Sequence, residues 1–212
     1  MRESERLPPP PSREDVPEDE RESYDRIVER TGRVHGLESN PADYFRALLN
    51  APSLGWGIVQ LGTLVRQGQL RGTYTDAERE LVDVVYGEDL GYRGHYTVHI
   101  PDAFAVGVRP EAIEALRTGQ EEELTDDERR LVDYARAVAK GTVTDGQYAS
   151  IRERFGTRGA VELTLFCSFL LMTLRAWQAL GVPDLSEEET DELIRGLSDG
   201  TIETPSPTAR IG

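Results

Sequence analysis

Apolar residues recur along most of this chain at intervals of three and four, and no stretch alternates in the manner of a strand. The pattern predicts an all-α protein. Pro17 opens a helix through Tyr24, Ile27 and Val28. Asn40-Pro41 reads as a cap with proline at the first helical position, leading into Tyr44, Phe45, Leu48 and Leu49. From Pro52 to Gly68, Leu54, Ile58, Leu61, Leu64 and Val65 keep helical spacing. Thr75-Asp-Ala-Glu78 is a capping box, followed on one face by Ala77, Leu81, Val84 and Val85. A helix is predicted from about Tyr92 to Val106, bent near Pro101, and a short one over Pro110 to Leu116. Thr125-Asp-Asp-Glu128 is a second capping box, ahead of Leu131, Tyr134, Ala135 and Val138. Helices over Val143 to Phe155, Arg158 to Leu180 and Ser186 to Leu197 complete the pattern. Arg158 to Leu180 is apolar nearly all round, which predicts the central buried helix.

The two capping boxes belong to an internal echo. Thr75-Asp-Ala-Glu-Arg-Glu-Leu-Val-Asp and Thr125-Asp-Asp-Glu-Arg-Arg-Leu-Val-Asp share cap, charge order and apolar register. One echo falls short of a repeat array. Its informative position is Glu80, which faces Arg130 in the second copy, and only the first copy is followed by histidines.

The chain has 212 residues, enough for one helical domain, here residues 16–198, with a sizeable core. Residues 1–15, with Pro8 to Pro11 in a row, read as a disordered or extended arm, and residues 199–212 as a tail. The formal charge of −15 disfavours nucleic acid and anionic membranes as partners, since phosphate contacts need clustered Lys and Arg. Lys140 is the only lysine, so a bound carboxylate would meet a guanidinium. Cys167 is the only cysteine, which excludes an intrachain disulfide, a CxxC redox pair and a cysteine-rich zinc site, and suits a cytoplasmic location. Its place among Phe166 and Phe169 predicts an inert thiol. The N-terminus shows no apolar signal region, and the apolar run from Thr164 to Leu174 is too short to span a bilayer.

Candidate chemistry concentrates between Glu80 and His99. Two of the three histidines fall there, in Glu88-Asp-Leu-Gly-Tyr-Arg-Gly-His-Tyr-Thr-Val-His99. Histidine moves protons near neutral pH, and a carboxylate beside it sets its tautomer. Glu80 reads either as that carboxylate or as a surface glutamate, and His99 either as a proton-transfer group or as a hydrogen-bonded core residue. Glu88, Tyr92, His95 and His99 align on one face if the helix is continuous, which opens a metal alternative with His95, His99 and Glu88 or Glu80 as ligands. Arg93 reads as a carboxylate fork or a solvated arginine, and Tyr92 and Tyr96 as hydrogen-bond donors or core aromatics. No phosphate-cradling glycine loop and no nucleophile elbow is present.

Taken together, these residues resemble the carboxymuconolactone decarboxylase and alkylhydroperoxidase D family over roughly residues 7–183. The likeness rests on the order of Leu7-Pro-Pro, Phe45-Arg-Ala-Leu-Leu, Arg79-Glu-Leu-Val82, His99-Ile-Pro with Ala103 and Gly107-Val108, Ile113-Glu-Ala-Leu116, Val161-Glu-Leu-Thr-Leu165 and Ala179-Leu-Gly-Val-Pro183. In the peroxidase branch a glutamate precedes CxxC and a histidine; Glu80 and His99 match the first and last, while Tyr92 and His95 stand at the cysteine positions. Disulfide-cycling peroxidase chemistry is therefore disfavoured. The decarboxylase branch keeps the histidine and commonly has tryptophan where this chain has Tyr96. The resemblance implies an all-helical fold, a homo-oligomer (trimer or hexamer), and a small-molecule substrate handled without a cofactor. It points to a lyase or isomerase acting on a small carboxylate, lactone or enol. His99 would be the general acid/base, Glu80 its orienter, His95 or Tyr96 the stabiliser of an enolate, and Arg93 with Tyr92 the substrate contacts. A non-catalytic assembly member is the remaining alternative.

Overall fold

The computed structural model describes residues 6–34, 40–184 and 186–203. Residues 1–5 of the expected arm and 204–212 of the expected tail lie outside the described residues, as do the side chains of the expected Asn40-Pro41 cap. The fold is all-α. Among the described residues the helices are α1 (Arg21–Val34), α2 (Asn40–Leu48), α3 (Pro52–Val65), α4 (Asp76–Asp89), α5 (Arg93–Ala105), α6 (Pro110–Thr118), α7 (Asp126–Lys140), α8 (Asp145–Leu180) and α9 (Glu187–Asp199). Both expected capping boxes are formed, Thr75 with Glu78 and Thr125 with Glu128, and a third, Ser186 with Glu189, starts α9. The expected division between Phe155 and Arg158 survives inside α8 as Gly156, whose φ of 71° and ψ of 172° are non-helical. Only glycine takes that backbone without strain.

The helices fall into two compact units. The first comprises, among the described residues, 6–34, 40–64 and 175–184. Ile27, Tyr44, Ala47, Leu49 and Val59 are buried there, and Tyr44 packs its ring 5.0 Å from that of Trp177. The proline-rich segment is tied down by its carbonyls. Tyr24 Oη donates to Pro11 O at 3.1 Å, Asn50 Nδ2 donates to Pro9 O at 3.1 Å, and Arg13 forks Asp25 at 2.7 and 2.8 Å.

The second unit comprises residues 65–174 and 186–203. Its central helix is α4, which is buried on every side from Arg79 to Gly87. This corrects the expectation that Arg158 to Leu180 forms the buried centre. That stretch of α8 buries Ala160, Leu163, Phe166, Cys167, Leu170 and Leu174, while Val161, Leu165 and Met172 stay 45–56% exposed. The physical reason is pairing. The polar residues of α4 are neutralised by partners, so it can be enclosed despite its composition, whereas α8 finds neighbours on one face. By length and apolar composition α8 also passes for a membrane span. Within the unit, however, Glu162 on α8 accepts from Arg71 at 2.9 Å and from Thr73 at 2.8 Å, and Thr164 meets Tyr134 Oη at 2.6 Å, contacts typical of a packed helix.

Helices α4 and α5 form a tight hairpin. Leu90–Tyr92 makes the turn, with Gly91 at a φ of 62°. Gly87 sets how closely the two helices approach, because a Cβ there would lie 3.0 Å from the Tyr96 Cα. Pro101 sits inside α5 and removes a backbone donor from its second half. Gly87→Val is expected to push the hairpin apart and destabilise the protein by about 1–3 kcal/mol, the range for overpacking a well-filled contact. Urea unfolding followed by circular dichroism measures this, and a midpoint equal to wild type would show that the close approach is not a constraint.

Candidate active site

One face of the α4–α5 hairpin carries the site. Glu80 and Asp83, one turn apart on α4, are 2% and 0% exposed. Facing them from α5 are His95 and His99, also one turn apart, with ring centroids separated by 4.4 Å. His99 Nδ1 lies 2.8 Å from Glu80 Oε2. His95 Nε2 lies 3.1 Å from Asp83 Oδ1, and His99 Nε2 lies 3.6 Å from the same oxygen. Each imidazole thus has its own carboxylate, and Asp83 serves both. The chain turns at Leu90–Tyr92, so the expected single helix carrying Glu88, Tyr92, His95 and His99 on one face is not formed, and only the two histidines share α5.

Two guanidinium groups balance the two carboxylates. Arg66, the first residue of the segment between α3 and α4, forks Asp83 with NH1 to Oδ2 at 2.6 Å and NH2 to Oδ1 at 2.7 Å. Its cation also stands 5.3 Å from the centroid of the Phe166 ring. Arg79 donates from Nε at 3.1 Å and NH2 at 2.8 Å to Glu80 Oε1, and its NH1 reaches Arg66 O and Asp76. Burial pushes both carboxyls towards protonation. The positive groups outweigh it. Glu80 is held below its ordinary value against burial, chiefly by His99, and Asp83 well below, chiefly by Arg66 and then His99. Both are therefore carboxylates at neutral pH and accept hydrogen bonds only. Glu80 thus accepts from an N–H at Nδ1 of His99, and the Nε2 edge of the same ring faces the Asp83 carboxylate. Its side chain retains 14% exposure against 4% for His95, so His99 is the imidazole with access to solvent.

The remaining expected residues are placed elsewhere. Tyr96 is buried, with a hydroxyl that finds no hydrogen-bond partner among the described residues, and the charged groups around it are Glu88, Arg117, Glu114 and Asp191. It belongs to a different polar environment from His99. Arg93 pairs with Glu187 of α9 at the start of α5. Tyr92 is buried as the residue before that helix. Glu88 is half-buried, raised by burial, and feels Arg117 and Arg93. The carboxylate grouped with His95 and His99 is Asp83, and a second set of potential metal donors is Glu80, His99 and Asp102. The cation beside the imidazoles is Arg66, not Arg93. Cys167 is fully buried, and burial pushes its thiol up to about 12, as expected of an inert side chain.

Asp83 and Arg66 escaped the sequence reading. A signal for Asp83 exists: it stands three residues after Glu80, the spacing that puts two side chains on one helix face. Arg66 carries no local signal, because its role depends on where the chain turns before α4. Comparison with known proteins gives no matching family model, no similar curated protein and no similar solved structure.

His95 generates a test. Burial first, and the neighbouring His99 second, lower it from 6.5 to about 4, against the opposing pull of Asp83. The groups facing it are His99 on α5, Asp83 on α4 and Arg66 before α4. Above 6.5 the imidazole is neutral in both folded and unfolded chains. As pH falls, the unfolded chain binds a proton that the folded one refuses until about 4, so stability drops across that window. Wild type is expected to lose roughly 3 kcal/mol more than His95→Gln between pH 7 and pH 4. Urea titrations of both proteins in chelator-containing buffers measure the difference; parallel profiles would mean that the imidazole titrates normally.

Proposed function

We propose that the chain is an enzyme in which His99 acts as general acid and base on a small carboxylate, lactone or enol, with no cofactor. The observation that supports this is the 2.8 Å contact from Glu80 to His99 Nδ1, made by the one imidazole of the pair that keeps access to solvent. Losing CO2 or moving a double bond creates an enolate-like anion, which needs a proton donor as charge develops and a proton acceptor beforehand. Glu80 fixes the tautomer, so the Nε2 lone pair is ready to accept a proton. Once that proton is taken, the Asp83 carboxylate 3.6 Å away faces the new positive charge. His95 keeps Asp83 in place from the other side. Arg66, not Arg93, is the cation nearest the imidazoles, and in this reading its role is to hold the Asp83 carboxylate in place. The sequence resemblance to the decarboxylase-like branch of the carboxymuconolactone decarboxylase family supports the same class of reaction.

A panel of β-keto acids and unsaturated lactones, followed by CO2 release and ultraviolet absorbance, tests the reading. Wild type is expected to turn over at least one member. His99→Ala should abolish that activity with its helix content intact, and Glu80→Gln should lower kcat by about 10²-fold or more. No turnover across the panel, or full activity in His99→Ala, would remove the proposal.

The chain is also read as a homo-oligomer, on the support of Val161, Leu165 and Met172, which leave one apolar face of α8 open to solvent. Leu165→Glu is expected to convert the assembly to monomer in light scattering coupled to gel filtration. A wild type that is itself monomeric at micromolar concentration would refute this.

A further inference from the structure

We propose that Asp83, His95 and His99 together form a binding site for a divalent transition-metal ion. The three donor atoms lie within 4.8 Å of one another, with 3.1 Å and 3.6 Å from the Asp83 oxygen to the two Nε2 atoms. Ligand atoms about 2.0–2.2 Å from a shared ion stand roughly 3–4 Å apart, so little movement is required to close a shell. Two imidazoles with one carboxylate suit zinc, cobalt, nickel or ferrous iron and not magnesium or calcium, which take oxygen ligands.

The surroundings are those of a coordinating histidine. A metal-bound imidazole commonly gives its other ring N–H to a carboxylate, and Glu80 receives His99 Nδ1 in that way. Both histidines project from one face of α5, one turn apart, so their spacing is fixed by the helix. The Arg66 fork uses one lone pair on each Asp83 oxygen, and each oxygen has a second. Without a proton or cation between them, the His99 lone pair and the Asp83 carboxylate confront each other at 3.6 Å. A divalent ion there turns that repulsion into two bonds.

This inference rests on the same imidazole as the proposed proton transfer, and it adds a control. An ion on Nε2 occupies the lone pair that would accept the substrate proton, so the loaded protein is the inhibited one. The test uses chelator-treated full-length protein, with Co2+ alone as the probe for visible absorption and Zn2+ for calorimetry. Wild type is expected to bind one ion per chain and to give visible d–d bands. His95→Gln and His99→Asn, each checked for wild-type circular dichroism, should weaken binding at least tenfold. Asp83→Asn is a third arm, and the two histidine variants stand if it fails to fold. No bound ion in wild type, or wild-type affinity retained in both histidine variants, overturns the site. Metal-free turnover lost on adding Zn2+ supports both readings. His99-dependent turnover without any ion binding sinks this inference alone, while a bound ion in a protein that turns over no substrate supports the site and sinks the acid/base reading.

Discussion

The enclosure of two carboxylates on the central helix is the constraint on which the rest of the second unit depends. Glu80 and Asp83 are withdrawn from water at neighbouring turns of α4. A buried charge stripped of its partner costs about 3–5 kcal/mol, so neither can be enclosed alone. Arg66 and Arg79 supply the compensating charges, His99 adds a hydrogen bond to Glu80, and His95 Nε2 stands 3.1 Å from Asp83. The fold around them follows. Arg66 must come down beside Asp83 before α4 begins, and α5 must return closely along α4 for its histidines to reach. Gly87 permits that return. A polar stretch is therefore enclosed as fully as the apolar core around it, and an amphipathic reading of α4 does not anticipate it.

Much of the architecture was legible because it is written in local chemistry. Threonine followed three residues later by glutamate marks where α4 and α7 start, and both boxes form. Glu80 and His99 are nineteen positions apart, a span made of the rest of α4, a tight turn and the first half of α5, the length that brings the two side chains face to face at 2.8 Å. What stayed hidden depends on position in three dimensions. Asp83 looks like any acidic residue of an amphipathic helix, and the matching Asp133 in the echo is exposed. Tyr96 looks equivalent to its histidine neighbours, yet it points into the environment of Glu88 and Arg117. Uniform hydrophobicity predicted that Arg158 to Leu180 is the central buried helix, and this part of α8 instead leaves Val161, Leu165 and Met172 open.

The site combines features that favour proton transfer with features that favour coordination, and the two share an origin. A carboxylate on Nδ1 fixes which nitrogen carries the lone pair, and that lone pair serves a substrate proton or a metal ion equally well. Asp83 decides how the neighbouring space is used, since it faces both Nε2 atoms and is itself held by a guanidinium. The difference between the outcomes is what arrives: a proton needs a substrate poised at His99, and an ion needs His95 to join.

The burial of Cys167 on α8 has a practical bearing. It is the only thiol in the sequence, it is fully enclosed, and its environment suppresses the thiolate. The native chain is therefore a quiet background for maleimide chemistry. A single cysteine introduced at an exposed position would accept a fluorophore or spin label without a competing reaction, so distances and motions of individual helices become accessible with no need to remove a native residue first.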